Sequence, residues 1–127
     1  MQTKNRLDQL SRLRQTLREY LADLEKSLDV VFGRSPMVKG NVYELARKCG
    51  KPHCVCTRGA LHRSMVLTWS HEGKSKLFSI SSERLADLQM KSEEYLRFRR
   101  ARARVTEICK KILGVLDRIE KLRREEP

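Results

Sequence analysis

Residues 64–80, with the sequence SMVLTWSHEGKSKLFSI, form two short runs of alternating apolar and polar residues around a turn. The turn His71–Lys74 is a two-residue hairpin connection with Gly73 at its second central position, where glycine is favoured. Folding about this turn sets three pairs opposite each other: Met65 with Ile80, Leu67 with Phe78, and Trp69 with Lys76. Because a slip of one residue would turn every side chain to the other face, the pattern predicts a β-hairpin in this register.

This register divides the hairpin into an apolar face and a more polar face. The apolar face holds Met65, Leu67, Trp69, Phe78 and Ile80. The other face shows Val66, Thr68, Ser70, Ser75 and Ser79, with Leu77 as an exception. Trp69 is therefore expected to pack in the core rather than to stack on a nucleic-acid base, while the role of Tyr43 stays open. Residues 42–48 alternate loosely and predict a third strand.

Long helices are predicted on both sides of this sheet. Within residues 1–33, apolar residues are spaced alternately by three and four, which is typical of a heptad seam. These residues are Leu7, Leu10, Leu17, Leu21, Leu24, Leu28 and Val31. Arg14 interrupts the seam with a charge, and Leu13 and Tyr20 widen the apolar stripe. The same spacing recurs within residues 82–125 at Val105, Ile108, Ile112, Val115, Ile119 and Leu122, with Cys109, Leu113 and Leu116 broadening the face. Cys109 is therefore interpreted as a core residue.

The phase of the apolar pattern slips within residues 92–101, which predicts a bend or a separate short helix there. Together the elements predict an α+β protein with a single domain, residues 1–127. Leu7–Val31 is expected to pair antiparallel with Val105–Leu122 as a coiled-coil hairpin that carries residues 38–80 as an insert. Dimerisation through the same stripes is the alternative, since heptad seams serve either purpose.

A cysteine-rich turn within the insert supplies candidate metal ligands. Cys49, Cys54, Cys56 and His62 follow the spacing C-x4-C-x-C-x5-H, and thiolates and imidazole are the ligands that structural zinc prefers. Gly50 and Pro52 are expected to form the turn that brings Cys49 and Cys54 together. Four protein ligands leave no open position, so the predicted Zn²⁺ is structural. His53 is a competing fourth ligand, and three reduced cysteines without metal are the alternative interpretation.

The motif RKCGKPHCVC at residues 47–56, followed by His62, a strand with a tryptophan and the Gly73-Lys74 turn, resembles a family of small bacterial proteins of unknown function. Members share a C-G-K-P-x-C-x-C core, a downstream histidine followed by aromatic residues, and helical flanks. The resemblance covers roughly residues 40–80, and this chain continues His62-Arg63-Ser64-Met65 where the family pattern has H-G-P and an aromatic residue. The resemblance also implies an association with mobile elements.

The net charge of +12 is concentrated in the middle of the chain. Residues 33–81 carry nine basic and two acidic side chains, whereas the flanking segments are more balanced. Such a field attracts polyanions, of which nucleic acid is the most abundant. The candidate phosphate contacts are Arg47, Lys48, Lys51, Arg58, Arg63, Lys74, Lys76, Arg97, Arg99, Arg100, Arg102 and Arg104, with Lys39 extending the basic surface.

Three functional classes are compatible with these features. A nucleic-acid-binding accessory protein with a zinc-stabilised basic β knuckle fits best, with DNA favoured over RNA. An assembly module of a larger complex, in which the long helices bind a protein partner, is the alternative. A thiol enzyme is disfavoured because the spacing lacks the C-x-x-C redox form. The absence of an apolar run long enough for a span and of a secretory signal predicts a cytoplasmic protein without membrane contact.

Overall fold

The computed structural model describes residues 2–48, 50–54, 58–59 and 61–127, with Gln2 described by its backbone alone. The elements along the chain are helix α1 (Gln2–Val31), strands β1 (Asn41–Arg47), β2 (His62–His71) and β3 (Lys74–Ser79), and helix α2 (Ser82–Arg123). Two helices and a three-stranded antiparallel sheet in the order β1-β2-β3 define an α+β fold. The predicted fold class is confirmed at this level.

The β2–β3 hairpin has the register that the sequence predicts. Leu67 pairs with Phe78 and Trp69 pairs with Lys76. The amide of Ile80 donates to the carbonyl oxygen of Met65 at 2.8 Å. Glu72 and Gly73 at the turn have φ angles of 51° and 77°, the left-handed conformation that a type I′ hairpin turn requires at both central positions. Apolar alternation and turn chemistry thus select the same register.

Strand β1 lies on the other side of β2 and confirms the third predicted strand. Tyr43 pairs with Val66, and Arg47 at the end of β1 pairs with His62 at the start of β2. The connection between these two paired residues is the cysteine-rich segment 48–61. The pairing of Arg47 with His62 therefore holds the two ends of that segment next to each other.

The centre of β2 is buried on both faces. Val66 and Leu67 are 0% and 4% exposed, and successive residues of a strand point to opposite faces. The register confirms the face predicted for Val66, and that face is buried at this position although its other residues are mostly polar. Its neighbours in the ladder are Tyr43 and Ser79, and as the middle residue of the central strand it has a neighbouring strand on each side.

Ser35–Leu96 forms a compact unit, called here the sheet region. The amide of Val38 donates to the carbonyl of Lys91 at 3.1 Å, and the buried hydroxyl of Ser92 donates to the carbonyl of Gly40 at 2.6 Å. A Cβ added at Gly40 would lie 2.8 Å from Cδ1 of Leu67. The first half of α2 is thus tied to the start of β1 through a backbone segment that packs against Leu67.

Met1–Arg34 together with Arg97–Pro127 forms a second compact unit, the helix region. Asp23 of α1 forms an ion pair with Arg104 of α2, and the ammonium of Lys111 lies 5.9 Å from the ring centroid of Tyr20. Tyr20 precedes Asp23 on α1, whereas its partner Lys111 follows Arg104 on α2. The two helices therefore run antiparallel in this unit.

The buried stripe of the helix region is narrower than the predicted seams. On α2, Ile108 and Val115 are buried as the pattern predicts, and Ala101 continues the spacing by seven. On α1 the buried residues are Leu13 and Ser27. The sequence predicts Leu13 to widen the apolar stripe and not to belong to its central seam. Leu7 and Leu21 of the predicted seam are exposed, because one partner helix covers only part of so wide a stripe.

Two further expectations about α2 are corrected. The helix is continuous from Ser82 to Arg123, so a separate short helix at residues 92–101 is excluded, while the alternative of a bend there stays a prediction. Ile108 is fully buried, whereas the adjacent Cys109 is exposed. The interpretation of Cys109 as a core residue is therefore wrong, since it lies at the outer edge of the apolar stripe.

Candidate metal centre and nucleic-acid interface

The cysteine-rich segment begins with a tight turn. The amide of Cys54 donates to the carbonyl of Lys51 at 3.2 Å, which closes a four-residue turn with Pro52 at its second position, where the fixed φ of proline is favoured. Gly50, just before it, has a φ of +83°. The predicted turn is confirmed, although the approach of Cys49 to Cys54 lies outside the described residues.

The structure places two of the four predicted ligands in contact. Sγ of Cys54 lies 3.0 Å from Nε2 of His62, with the imidazole presented from the first residue of β2. Cys49 and Cys56 are outside the described residues. His53, the competing ligand, is exposed in the turn.

No group of three or more cysteine, histidine or carboxylate side chains converges within residues 2–48, 50–54, 58–59 and 61–127. That range includes only one of the three cysteines of the motif. The predicted set of four ligands therefore stays a prediction, supported so far by its Cys54–His62 half.

The separation of these two donors can be compared with the geometry of zinc. A sulfur about 2.3 Å and a nitrogen about 2.0 Å from one tetrahedral ion lie about 3.5 Å from each other. The observed 3.0 Å is about half an ångström shorter than this tetrahedral value. Cys54 and His62 fit a shared ion after a small opening of this contact, and the donor types are those that zinc prefers.

A basic depression adjoins His62. It has a volume of about 420 Å³ and is lined by Arg47, Lys48, His62 and Ser64. Arg47 and Lys48 are exposed at the end of β1. Cations at such a depression offer donors to an anion.

The sheet region contains few carboxylates to oppose its cations. Glu44 pairs with Arg63 at 2.7 Å, and Glu72 lies 3.8 Å from His71. In the part of the chain that the structure describes, no carboxylate forms an ion pair with the remaining candidate cations of this region, which are Arg47, Lys48, Lys51, Arg58, Lys74 and Lys76. The sequence predicts these cations but not the Glu44–Arg63 pair, because that pair depends on the register between β1 and β2.

These cations lie at two ends of the sheet. Arg47 pairs with His62 at one end of β2, and Lys74 pairs with His71 at the other. Ten residues of strand separate these ends by about 30 Å. Arg47, Lys48, Lys51, Arg58 and Arg63 are called the knuckle cluster below, and Lys74 and Lys76 form a separate group near the hairpin turn.

The arginine-rich segment of α2 is only partly available to a ligand. Arg104 pairs with Asp23 and, at 3.2 Å, with Glu107, and the hydrogen bond to Asp23 raises the pKa of its guanidinium further above the usual value. Arg99, Arg100 and Arg102 are exposed, as is Arg97. Arg104 therefore stabilises the helix region, and its role as a phosphate contact is weakened.

Trp69 is placed as the sequence predicts. Its ring and that of Phe78 form an edge-to-face pair with centroids 5.3 Å apart and an interplanar angle of 75°, an arrangement favoured between packed aromatic rings. Tyr43, whose role the sequence left open, is 39% exposed. It lies on the outer strand β1, opposite Val66.

Comparison with known proteins gives a family but no function. A family profile described as a domain of unknown function (DUF6788) matches residues 7–90, which is more than half of the chain. The chain belongs to this family. No curated protein and no solved structure matches it significantly. Neither described helix has an apolar stretch that could cross a lipid bilayer.

Proposed function

We propose that this chain is a non-enzymatic nucleic-acid-binding accessory protein that contacts mainly phosphates, with DNA its favoured target. In this proposal a structural Zn²⁺ bound by Cys49, Cys54, Cys56 and His62 holds the ends of β1 and β2, where the knuckle cluster is presented. The arginines exposed on α2, Arg97, Arg99, Arg100 and Arg102, supply a second set of phosphate contacts. The antiparallel helices of the helix region are proposed to pack as a coiled coil.

The observation that carries the proposal is the contact of Cys54 with His62 beside a basic depression. A metal there would stabilise a sheet that is small for independent folding. Because Glu44 engages only Arg63, the other exposed cations of the knuckle cluster keep their charge available. Arginine and lysine in such a field bind phosphate oxygens without reading sequence.

The proposal is tested by the salt dependence of binding to duplex DNA, measured by fluorescence anisotropy. The logarithm of affinity should fall linearly with the logarithm of salt concentration, with a slope of about −0.9 for each phosphate neutralised. Replacing Arg47 and Lys48 together by alanine should reduce that slope by up to about two. Lys26→Ala, at an exposed cation of α1, is the matched control and should change it little. Absence of binding to duplex and to single-stranded DNA at about 50 mM salt would reject the proposal.

A second candidate function, an assembly module, is favoured by apolar side chains left uncovered in the helix region. Leu113 is 60% exposed and Leu116 is 44% exposed. Both belong to the residues that broaden the apolar face of α2 in the sequence. A protein partner with a helical apolar stripe could cover them.

Sedimentation of the purified protein over a range of concentrations tests one form of this candidate, a homodimer. A mass that rises with concentration, and that falls to the monomer value in the Leu113→Ala/Leu116→Ala double variant, would support it. Met90→Ala is the control, since Met90 is exposed on α2 in the sheet region. A monomer at all concentrations would exclude the homodimer.

A further inference from the structure

One face of the three-stranded sheet can be defined from its register. Residues that pair across strands share a face, and alternate residues along a strand do so too. Starting from Tyr43, this face comprises Asn41, Tyr43, Leu45 and Arg47 of β1, His62, Ser64, Val66, Thr68 and Ser70 of β2, and Ser75, Leu77 and Ser79 of β3. It is called here the Tyr43 face.

The Tyr43 face differs in chemistry from the opposite one. None of its twelve residues, all of which the structure describes, is a carboxylate, and half of them are serine, threonine or asparagine. Arg47 and His62 stand at one end and open onto the basic depression. The opposite face carries the Glu44–Arg63 ion pair, Lys74, Lys76 and the packed Trp69–Phe78 pair. Both faces therefore carry cations, and the Tyr43 face is the one that has no carboxylate and whose cation lines the basic depression.

Exposed apolar side chains lie on the two outer strands of the Tyr43 face. Tyr43 is 39% exposed and Leu77 is 45% exposed. Tyr43 lies on β1 opposite Val66, which is fully buried, and Leu77 lies on β3 opposite Thr68. An exposed aromatic ring on an outer strand offers a stacking surface to any unpaired base, because every base has a flat π-face.

The spacing of Tyr43 and Arg47 links this stacking surface to the cations. The two residues are four positions apart on β1 and on the same face, which is about 13 Å. A base stacked on Tyr43 and a phosphate held at Arg47 and Lys48 would therefore belong to the same short stretch of strand. Duplex DNA does not satisfy both contacts, because its bases are stacked and paired inside the helix.

We propose that the Tyr43 face binds single-stranded DNA, with a base stacked on Tyr43 and neighbouring phosphates held at Arg47 and Lys48 in the adjoining depression. This inference rests on the proposed nucleic-acid-binding function and adds a preference for the unpaired strand. The hydroxyl and amide groups of the face serve as sequence-tolerant hydrogen-bonding partners for the bases and the backbone.

The test compares a short oligothymidylate with a DNA duplex of the same length, by fluorescence anisotropy, in wild type, Tyr43→Ala and Tyr43→Phe. Tyr43→Ala should weaken oligothymidylate binding by about fivefold or more, the effect expected from loss of one stacking residue. The salt slope and duplex binding should not change, because no phosphate contact is removed. Tyr43→Phe should retain near wild-type affinity, since the ring is kept.

Phe32→Ala is the matched control, because Phe32 is an exposed aromatic residue in the helix region. It should leave oligothymidylate binding unchanged. The thermal unfolding of Tyr43→Ala, followed by circular dichroism, checks that the sheet still forms. If Tyr43→Ala fails to fold, the comparison of Tyr43→Phe with Tyr43→Leu decides, because leucine is apolar but cannot stack as a ring.

Each other outcome has a defined meaning. If the protein binds both probes and neither Tyr43→Ala nor Tyr43→Leu changes that binding, this inference is overturned but the proposed function is kept. Absence of binding to either probe overturns both. Tighter binding to an oligouridylate of the same length overturns the choice of DNA. A concentration-dependent dimer that Tyr43→Ala dissociates would assign the face to a second copy of the chain and overturn the inference.

Discussion

The sheet region and the helix region balance their charges differently. In the helix region, Arg104 contacts both Asp23 and Glu107, and Glu107 also pairs with Lys111. In the sheet region, Glu44 is engaged by Arg63, and most of the knuckle cluster has no carboxylate partner among the described residues. Part of the charge of the helix region thus links the two helices, whereas its exposed arginines and the knuckle cluster are the cations that the proposed function assigns to phosphate contacts.

The two regions also differ in how they are stabilised. The helix region buries a series of side chains at intervals of seven, with Ala101, Ile108 and Val115 on α2. The sheet region has Val66, Leu67 and Leu88 as its buried apolar side chains among the described residues. The helix region adds Leu13 of α1, so the two cores are similar in size. In the proposed function a bound ion adds stability to the sheet region alone.

The largest effect is expected from Cys54→Ser. Loss of one of four ligands should abolish zinc binding, which contributes on the order of 10 kcal/mol in small zinc domains, and should unfold the sheet region. Most of the helical circular dichroism signal should remain, because the packing of α1 on α2 does not involve the cysteine motif. Elemental analysis and amide hydrogen exchange measure the two effects.

Cys109→Ser is the matched control for that substitution. Cys109 is exposed on α2, so the same exchange of sulfur for oxygen should change neither zinc content nor exchange in the sheet. Loss of helix and zinc together in Cys54→Ser would show instead that the sheet region organises the helices, and would remove the contrast between the two regions.

The converse substitution is Ile108→Ala. Ile108 is fully buried in the helix region, so its truncation should lower the free energy of unfolding of that region by about 2–5 kcal/mol. Zinc content should not change. Leu7→Ala, at an exposed position of α1, should cost no more than about 0.5 kcal/mol. Urea unfolding followed at 222 nm checks both values, and equal costs would contradict the assigned burial.

Two glycine substitutions should have opposite signs. Gly40→Ala should destabilise the sheet region by about 1–3 kcal/mol, because its Cβ would meet Cδ1 of Leu67 at 2.8 Å and the carbonyl oxygen of Thr68 at 2.9 Å. Gly114→Ala, within α2 and with open space around its Cβ, should stabilise the helix by up to about 1 kcal/mol. Thermal unfolding measures both, and a shift of the same sign in each would be inconsistent with the structure.

The smallest effect is a pH dependence of the helix region. Hydrogen bonds from Lys111 and then Arg104 lower the pKa of Glu107. A carboxyl whose pKa is lower in the folded state contributes stability above its unfolded pKa, about 4.3, and loses it as the pH falls through the folded value. The difference in urea midpoint between wild type and Glu107→Gln should therefore shrink below about pH 4.

Glu126→Gln serves as the control for this measurement, because Glu126 lies beyond the end of α2 and is exposed. It should show no such trend with pH. A midpoint difference for Glu107→Gln that stays constant from neutral to acidic pH would mean that the ion pairs of Glu107 do not stabilise the fold.

The hairpin could be predicted from the sequence in detail, whereas the helix contact could not. In residues 64–80 apolar and polar residues alternate, and Glu72-Gly73 forms the turn. Only one strand register agrees with both the alternation and the turn. In α1 the apolar stripe is wider than one partner helix can cover, so its periodicity did not decide whether Leu13 or Leu7 would be buried. That choice depends on the side chains of α2, which a pattern within α1 does not contain.

The candidate site could be predicted in part for a related reason. The spacing of Cys54 and His62 indicated that they approach each other, and the pairing of Arg47 with His62 explains how. The exposure of Tyr43 and the Glu44–Arg63 pair depend on which residues stand opposite each other across β1 and β2. The loose alternation of residues 42–48 did not fix that register.

Zinc X-ray absorption on protein purified without chelator decides whether the cysteine motif binds a metal. We expect about one zinc per chain, with three sulfur atoms at about 2.3 Å and one nitrogen at about 2.0 Å as its ligands. Protein without zinc, or zinc in a shell dominated by oxygen and nitrogen, would contradict this expectation.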